Sequence, residues 1–150
     1  FHAHCLSHIN YASTVWSNAR DVHLKKLNSL HRRAGKLIVP NPYLSTSEKL
    51  QAAKIIPLTQ QFQLNTAVLV YKVKHGLAPK YIERLLTSSD NRYGSNKFIL
   101  PKTRIDLFKT SFAFSGASVW NTLPVNVQSS GSLCSFKRNT KKHLLLNCAV

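Results

Sequence analysis

The chain has 150 residues, 43% of them hydrophobic, with 21 Lys or Arg against 5 Asp or Glu and a formal net charge of +16. That apolar share excludes a disordered tail, and 5 Gly with 6 Pro exclude a collagen-like or linker segment. No apolar run approaches the ~18 residues a membrane-spanning helix needs, and one domain is the expectation at this length.

The pattern reads as mostly helical. A first helix is expected over residues 4–17, carrying Leu6, Ile9, Tyr11, Val15 and Trp16. Asp21 stands as N-cap for a second helix over 22–38. At about 100° per residue, Leu24, Leu27, Leu30, Ala34, Leu37 and Ile38 fall on one arc of that helix. Lys25, Lys26, Arg32, Arg33 and Lys36 fall on the opposing arc, so a core stripe faces a cationic stripe. The Val39-Pro40-Asn41-Pro42 string stops it.

Ser45-Thr46-Ser47-Glu48 fits a capping box opening a short helix to about Lys54. Pro57 precedes a longer helix over 58–75. Its Ala67-Val68-Leu69-Val70-Tyr71 middle is apolar nearly all round and is expected at the centre of the core. Gly76 suits the position after a helix end, and Pro79 suits the first position of a short helix through Leu86. Residues 87–110 are the irregular part. Ser88–Asn91 and Tyr93–Asn96 carry loop chemistry, and Phe98–Leu100 with Ile105–Phe108 are candidates for a short β-ribbon. A helix follows over 112–121, ended by Leu123-Pro124, then a loop over 125–131 and a last helix over 132–146. On that helix Leu133, Phe136 and Leu144 share one face; Lys137, Arg138, Lys141 and Lys142 share another. The fold class is therefore mostly α, a compact multi-helix domain.

The positive charge is spread along the chain, with 7 basic residues in each third. A folded body with this excess repels itself, and a polyanion offsets the repulsion. A pI near 10.2 makes nucleic acid the expected partner, ahead of an anionic membrane. The chain opens on Phe1 and contains no Met, so an excerpt or a processed form is expected. Cys5, Cys134 and Cys148 are odd in number and far apart, which argues against a disulfide framework and for an intracellular setting.

Several strings occur in a fixed order. They are Ser7-His8-Ile9-Asn10-Tyr11 with Val15-Trp16, then Leu27-Asn28-Ser29-Leu30-His31-Arg32-Arg33-Ala34, then Tyr71-Lys72 with His75-Gly76-Leu77-Ala78-Pro79. Pro101-Lys102-Thr103-Arg104 and Lys109-Thr110-Ser111-Phe112 follow. Next comes Gly116-Ala117-Ser118-Val119-Trp120-Asn121-Thr122-Leu123-Pro124, and Phe136-Lys137-Arg138 with Lys141 closes the series. In this order they resemble the C-terminal region of reverse transcriptases from non-LTR (LINE-type) retrotransposons, over nearly the whole chain. Gly116, Trp120, Asn121, Leu123 and Pro124 make the most specific string.

The resemblance implies an accessory domain, residues 1–150, that follows the palm and thumb of an RNA-directed DNA polymerase. Its partners would be RNA or DNA and the upstream polymerase domain of the same polypeptide, with no membrane. Mg²⁺ is implied for the parent polymerase and no cofactor for this chain; the location would be nuclear during integration. Two alternatives are a structural piece that completes the thumb without touching nucleic acid, and an inactive transposon relic. Some members of the family carry a Cys/His zinc knuckle near the C-terminus. Cys134 and Cys148, with only His143 between them, do not form one.

Polymerase chemistry needs carboxylates that hold two divalent metals about 3.5–4 Å apart. The acids here are Asp21, Glu48, Glu83, Asp90 and Asp106, with none adjacent and no Tyr/Phe-x-Asp-Asp motif, so no catalytic residue is expected. His2, His4, Cys5 and His8 have the residue types of a zinc site, and His4 and His8 are spaced i, i+4. Surface histidines beside a small Cys are the preferred reading, and no metal site is expected. Trp16 and Trp120 read as core residues. Tyr93, beside Arg92 in a polar loop, is the candidate for stacking an unpaired base.

Overall fold

The computed structural model describes residues 2–19, 21–89 and 96–146, without the side chains of His2 and Asp21. Tyr93, Arg92, Asp90 and Cys148 lie outside the described residues, as does the capping role expected of Asp21.

After a π-helical turn at His2–Leu6 come α1 (Ser7–Asn10), α2 (Ser13–Trp16), α3 (Asp21–Ile38), α4 (Thr46–Ala52) and α5 (Leu58–Lys74). Then follow α6 (Lys80–Glu83), α7 (Asp106–Lys109), α8 (Phe112–Thr122), α9 (Val125–Gln128) and α10 (Leu133–Leu146). The strand content among the described residues is one antiparallel bridge, Ser88 with Phe98. The chain divides into two compact units, Phe1–Phe62 with Leu144–Val150, and Gln63–His143.

In the first unit, the helix expected over 4–17 is broken. Ala12 sits at φ +47° between α1 and α2, and the Trp16 indole N–H donates to the Tyr11 carbonyl at 2.8 Å across the break. The Trp16 ring meets Phe62 edge-on, with centroids 5.1 Å apart, which makes it a packing residue. Leu50, Ile55, Ile56, Leu58 and Phe62 are the buried apolar residues of this unit's 50–62 stretch.

The capping box at α4 forms in both directions: Ser45 Oγ accepts from the Glu48 N–H, and Glu48 Oε2 accepts from the Ser45 N–H. These bonds hold the exposed Glu48 carboxyl below its ordinary pKa. The same helix ends in a Schellman motif, with the Ile55 N–H on the Leu50 carbonyl and the Lys54 N–H on the Gln51 carbonyl. Lys54 takes the left-handed position at φ +54°.

The inward face of α3 differs from the arc expected. His31, 2% exposed, and Gly35 are its buried residues, with Leu24, Leu27 and Ala34 half-buried. Leu30 is 60% exposed and Leu37 82%. Gly35 is the reason: a Cβ there would lie 2.6 Å from Leu50 Cδ2, so α4 closes against α3 at the residue with no side chain. That contact turns the apolar arc, and Leu30 and Leu37 are left on its outer flank.

In the second unit, Ala67, Val70, Tyr71 and Val73 of α5 are buried with Leu86, Ala117, Trp120, Leu123, Val127 and Phe136. The centre of α5 is core, as its apolar run requires. Its C-terminus is a second Schellman motif, with Gly76 at φ +66°, the Leu77 N–H on the Lys72 carbonyl and the Gly76 N–H on the Val73 carbonyl.

Three local expectations are corrected in this unit. Pro79 caps α6 from outside instead of occupying its first turn. Phe98 pairs with Ser88, while Asp106–Lys109 is helical and closed by a 2.7 Å ion pair between Lys109 Nζ and Asp106 Oδ1. This pair pulls the Asp106 carboxyl below its ordinary pKa. Part of the loop expected at 125–131 is the single turn α9. Segments of four residues are shorter than the pattern that separates helical from extended periodicity.

Candidate nucleic-acid interface and its frame

Lys25, Lys26, Arg32, Arg33 and Lys36 of α3 are all exposed. At about 100° per residue Lys26 and Arg33 lie across the helix from His31 and Gly35, while Lys25, Arg32 and Lys36 flank that side, Arg32 bordering a pocket that Leu50 also lines. On α10, Lys137, Arg138 and Lys142 are exposed and Lys141 half-exposed; Arg138 and Lys142 lie across the helix from the fully buried Phe136 and Thr140, with Lys137 and Lys141 on the flank. Among the described side chains the ion pair present joins Lys109 to Asp106, so it involves none of these nine cations. Each helix thus presents a line of ammonium and guanidinium groups to solvent. Such a line carries the sign of charge that complements a polyanion.

The Gly116–Pro124 string has a structural role built from named bonds. Gly116 of α8 faces α5, where a Cβ would meet Val70 Cγ2 at 3.2 Å and Phe112 Cε2 at 3.1 Å. One turn on, Trp120 is fully buried and its indole N–H donates to the Asn96 carbonyl at 2.7 Å. The Asn121 carboxamide clamps one residue of the bridged segment: its Oδ1 accepts from the Phe98 N–H at 3.0 Å and its Nδ2 donates to the Phe98 carbonyl at 2.8 Å. Leu123 is buried and Pro124 caps α9, which brings Gln128 back under the end of α8. There Gln128 Nε2 donates to the carbonyls of Trp120 and Leu123, at 2.7 and 3.0 Å.

The frame is aromatic as well as hydrogen-bonded. Phe98 meets Trp120 edge-on at 6.0 Å, Trp120 stacks on Phe136 at 5.8 Å, Phe136 on Tyr71 at 4.5 Å, and Tyr71 on His75 at 3.9 Å. The Tyr71 hydroxyl donates to the Ser130 carbonyl at 2.9 Å. Lys74 Nζ sits 5.3 Å from the centre of the Trp120 ring, and partial burial lowers the pKa of its ammonium.

Sequence reasoning missed Lys74, Gln128 and His31. Lys74 and His31 sit in helical patterns that do not separate a cation over a ring, or a buried imidazole, from a surface residue. Gln128 lay in a stretch expected to be loop.

His4, Cys5 and His8 are exposed, and among the described residues no three His, Cys, Asp or Glu side chains gather into a metal-holding group. No helix of the described residues is long and apolar enough to cross a membrane. Set against known family models, curated proteins and solved structures, the chain matches none.

Proposed function

We propose that the chain is the nucleic-acid-binding, C-terminal part of an RNA-directed DNA polymerase of the LINE retrotransposon type. It grips RNA or an RNA–DNA duplex through the outward faces of α3 and α10, and the catalytic centre lies elsewhere in a longer polypeptide. The single observation that supports this most is the segregation of charge. On both helices the cations are exposed or half-exposed and lie across from or beside the buried residues, in a chain of net charge +16. The ordered strings quoted above support the family, and Trp120 and Asn121 have a bonded role consistent with that string acting as a structural unit.

The test replaces Lys25, Lys26, Arg32, Arg33 and Lys36 together with Gln and measures affinity for single-stranded RNA across a salt series. Each lost phosphate contact removes about 0.7 from the slope of log K against log salt on a single strand. The expected result is at least about a tenfold loss at ~100 mM salt, with a shallower slope. Unchanged affinity and slope would refute α3 as the contact face.

A second reading, in which this part docks on the polymerase thumb, has an observation of its own. Leu30 and Leu37 are exposed beside the cations of α3. It predicts self-association of the isolated chain. A monomer in sedimentation that still binds RNA decides for the first reading.

A further inference from the structure

The second unit contains a cavity of about 370 Å³ that none of the roles above uses. Its volume falls in the range of small-ligand pockets, about 300–1,000 Å³. Val73 and Lys74 of α5, Glu83 of α6, and Ser89, Lys97 and Phe98 of the bridged segment line it. The wall formed by the bridged segment is held by three sets of bonds. The Ser89 N–H bonds the Lys97 carbonyl at 3.0 Å, Asn121 clamps the Phe98 peptide, and Trp120 holds the Asn96 carbonyl. The Trp120-Asn121 pair thus positions the cavity wall at Asn96 and Phe98.

Its chemistry is specific. Two ammoniums, Lys74 and Lys97, border the cavity, and among the described residues neither has an ion pair. Ser89 Oγ is buried with no hydrogen-bond partner among the described residues, a state that calls for a ligand or a water. Lys74, an exposed residue, carries its Nζ 5.3 Å from the centre of the Trp120 ring. Opposite in sign stands Glu83, whose carboxylate accepts hydrogen bonds and so suits sugar hydroxyls, as acidic residues do for ribose in dinucleotide sites. Val73 and Phe98 give the apolar surface that a planar base packs against.

We propose that this cavity is a site for a single ribonucleotide. Lys74, Lys97 and Ser89 hold its phosphate, Glu83 takes its ribose hydroxyls, and the base lies against Val73 and Phe98. The ligand is either a free nucleoside monophosphate or the phosphorylated end of an RNA strand. The proposal goes beyond strand-gripping by α3 and α10 and does not depend on it.

Calorimetry and amide chemical shifts of the full chain test it, with AMP, 2′-deoxy-AMP, adenosine and inorganic phosphate as probes. AMP is expected to saturate and to shift the amides around residues 74, 83, 89 and 97. Adenosine and 2′-deoxy-AMP should bind about tenfold more weakly, each lacking a charge-assisted contact. Lys74→Gln and Lys97→Gln should each weaken AMP by about tenfold. Lys74→Arg, which keeps the charge over Trp120, should retain most of the affinity and controls for folding. Glu83→Gln should abolish the preference for AMP over its deoxy form. A 5′-phosphorylated oligoribonucleotide that competes with AMP identifies a strand end; failure to compete identifies a free nucleotide. The Gln variant of the α3 stripe should bind AMP normally, so the two readings fail separately. Absence of saturation, adenosine equal to AMP, or AMP affinity indifferent to both lysines would overturn the site.

Discussion

Asn121 gives both halves of its carboxamide to one peptide, the N–H and the carbonyl of Phe98. No other side chain of that length carries a donor and an acceptor in one plane, so the position tolerates little change. Asn121→Ala leaves both half-buried Phe98 groups without their partner, which places the cost at the low end of the ~1–3 kcal/mol of a fully buried group. The expected outcome is a lower urea midpoint in the intact chain, with the loss of order at residues 96–98 visible by amide exchange.

His31 makes a different demand. It is 2% exposed, and burial lowers its pKa from the ordinary value near 6.5. Between the folded and unfolded values the unfolded chain holds the extra proton. The contribution is therefore whole above about pH 6.5 and is lost as pH falls through and below it. Urea midpoints measured from pH 8 down to pH 5 should fall, and His31→Leu should flatten that decline. A pH profile unaltered by the substitution would show that His31 does not set it.

The two ends of α4 show how much an element's limits depend on a single residue. At the start, Ser45 and Glu48 satisfy each other's backbone N–H groups, and the pattern is legible because both partners lie within four residues. At the end, a lysine takes the left-handed position that glycine fills after α5. A non-glycine residue there costs about 1–2 kcal/mol. Lys54→Gly is accordingly expected to raise the thermal midpoint in calorimetry, the flexibility glycine adds to the unfolded chain taking back part of the gain. An unchanged or lower midpoint would mean that the lysine stem has packing of its own.

For α3, the cationic side was readable from spacing alone. The buried side was not, because its direction is set by Gly35 meeting Leu50 fifteen positions on. An arc of leucines marks an apolar half of a helix, but the partner helix decides which part of that half it covers.

On the scale of the whole molecule, 21 basic residues face 5 acidic ones, and among the described residues the ion pair present is the exposed Lys109–Asp106 contact. Self-repulsion then dominates the electrostatics, and added salt should relieve it. As ionic strength rises from 0.01 to 0.15 M the Debye length falls from about 30 to about 8 Å. The thermal midpoint is expected to rise over that range, by about 2–4 °C for each kcal/mol relieved in a chain of this size. A midpoint that falls with salt would show that favourable pairs outweigh the excess.

By itself the sequence determined the helical class, the helices α3, α4, α5, α8 and α10, the caps at Ser45 and Gly76, and the charged sides of α3 and α10. These follow from local periodicity and from bonds that close within one turn. Tertiary structure alone decided the rest. The division into two units falls inside α5 and α10, where an unbroken helical pattern carries no mark of it. The turn toward His31 and Gly35, the pairing of Phe98 with Ser88, and the cavity bordered by Lys74 and Lys97 each join segments distant in sequence. Such contacts are fixed by which surfaces fit, and spacing along the chain does not carry that information.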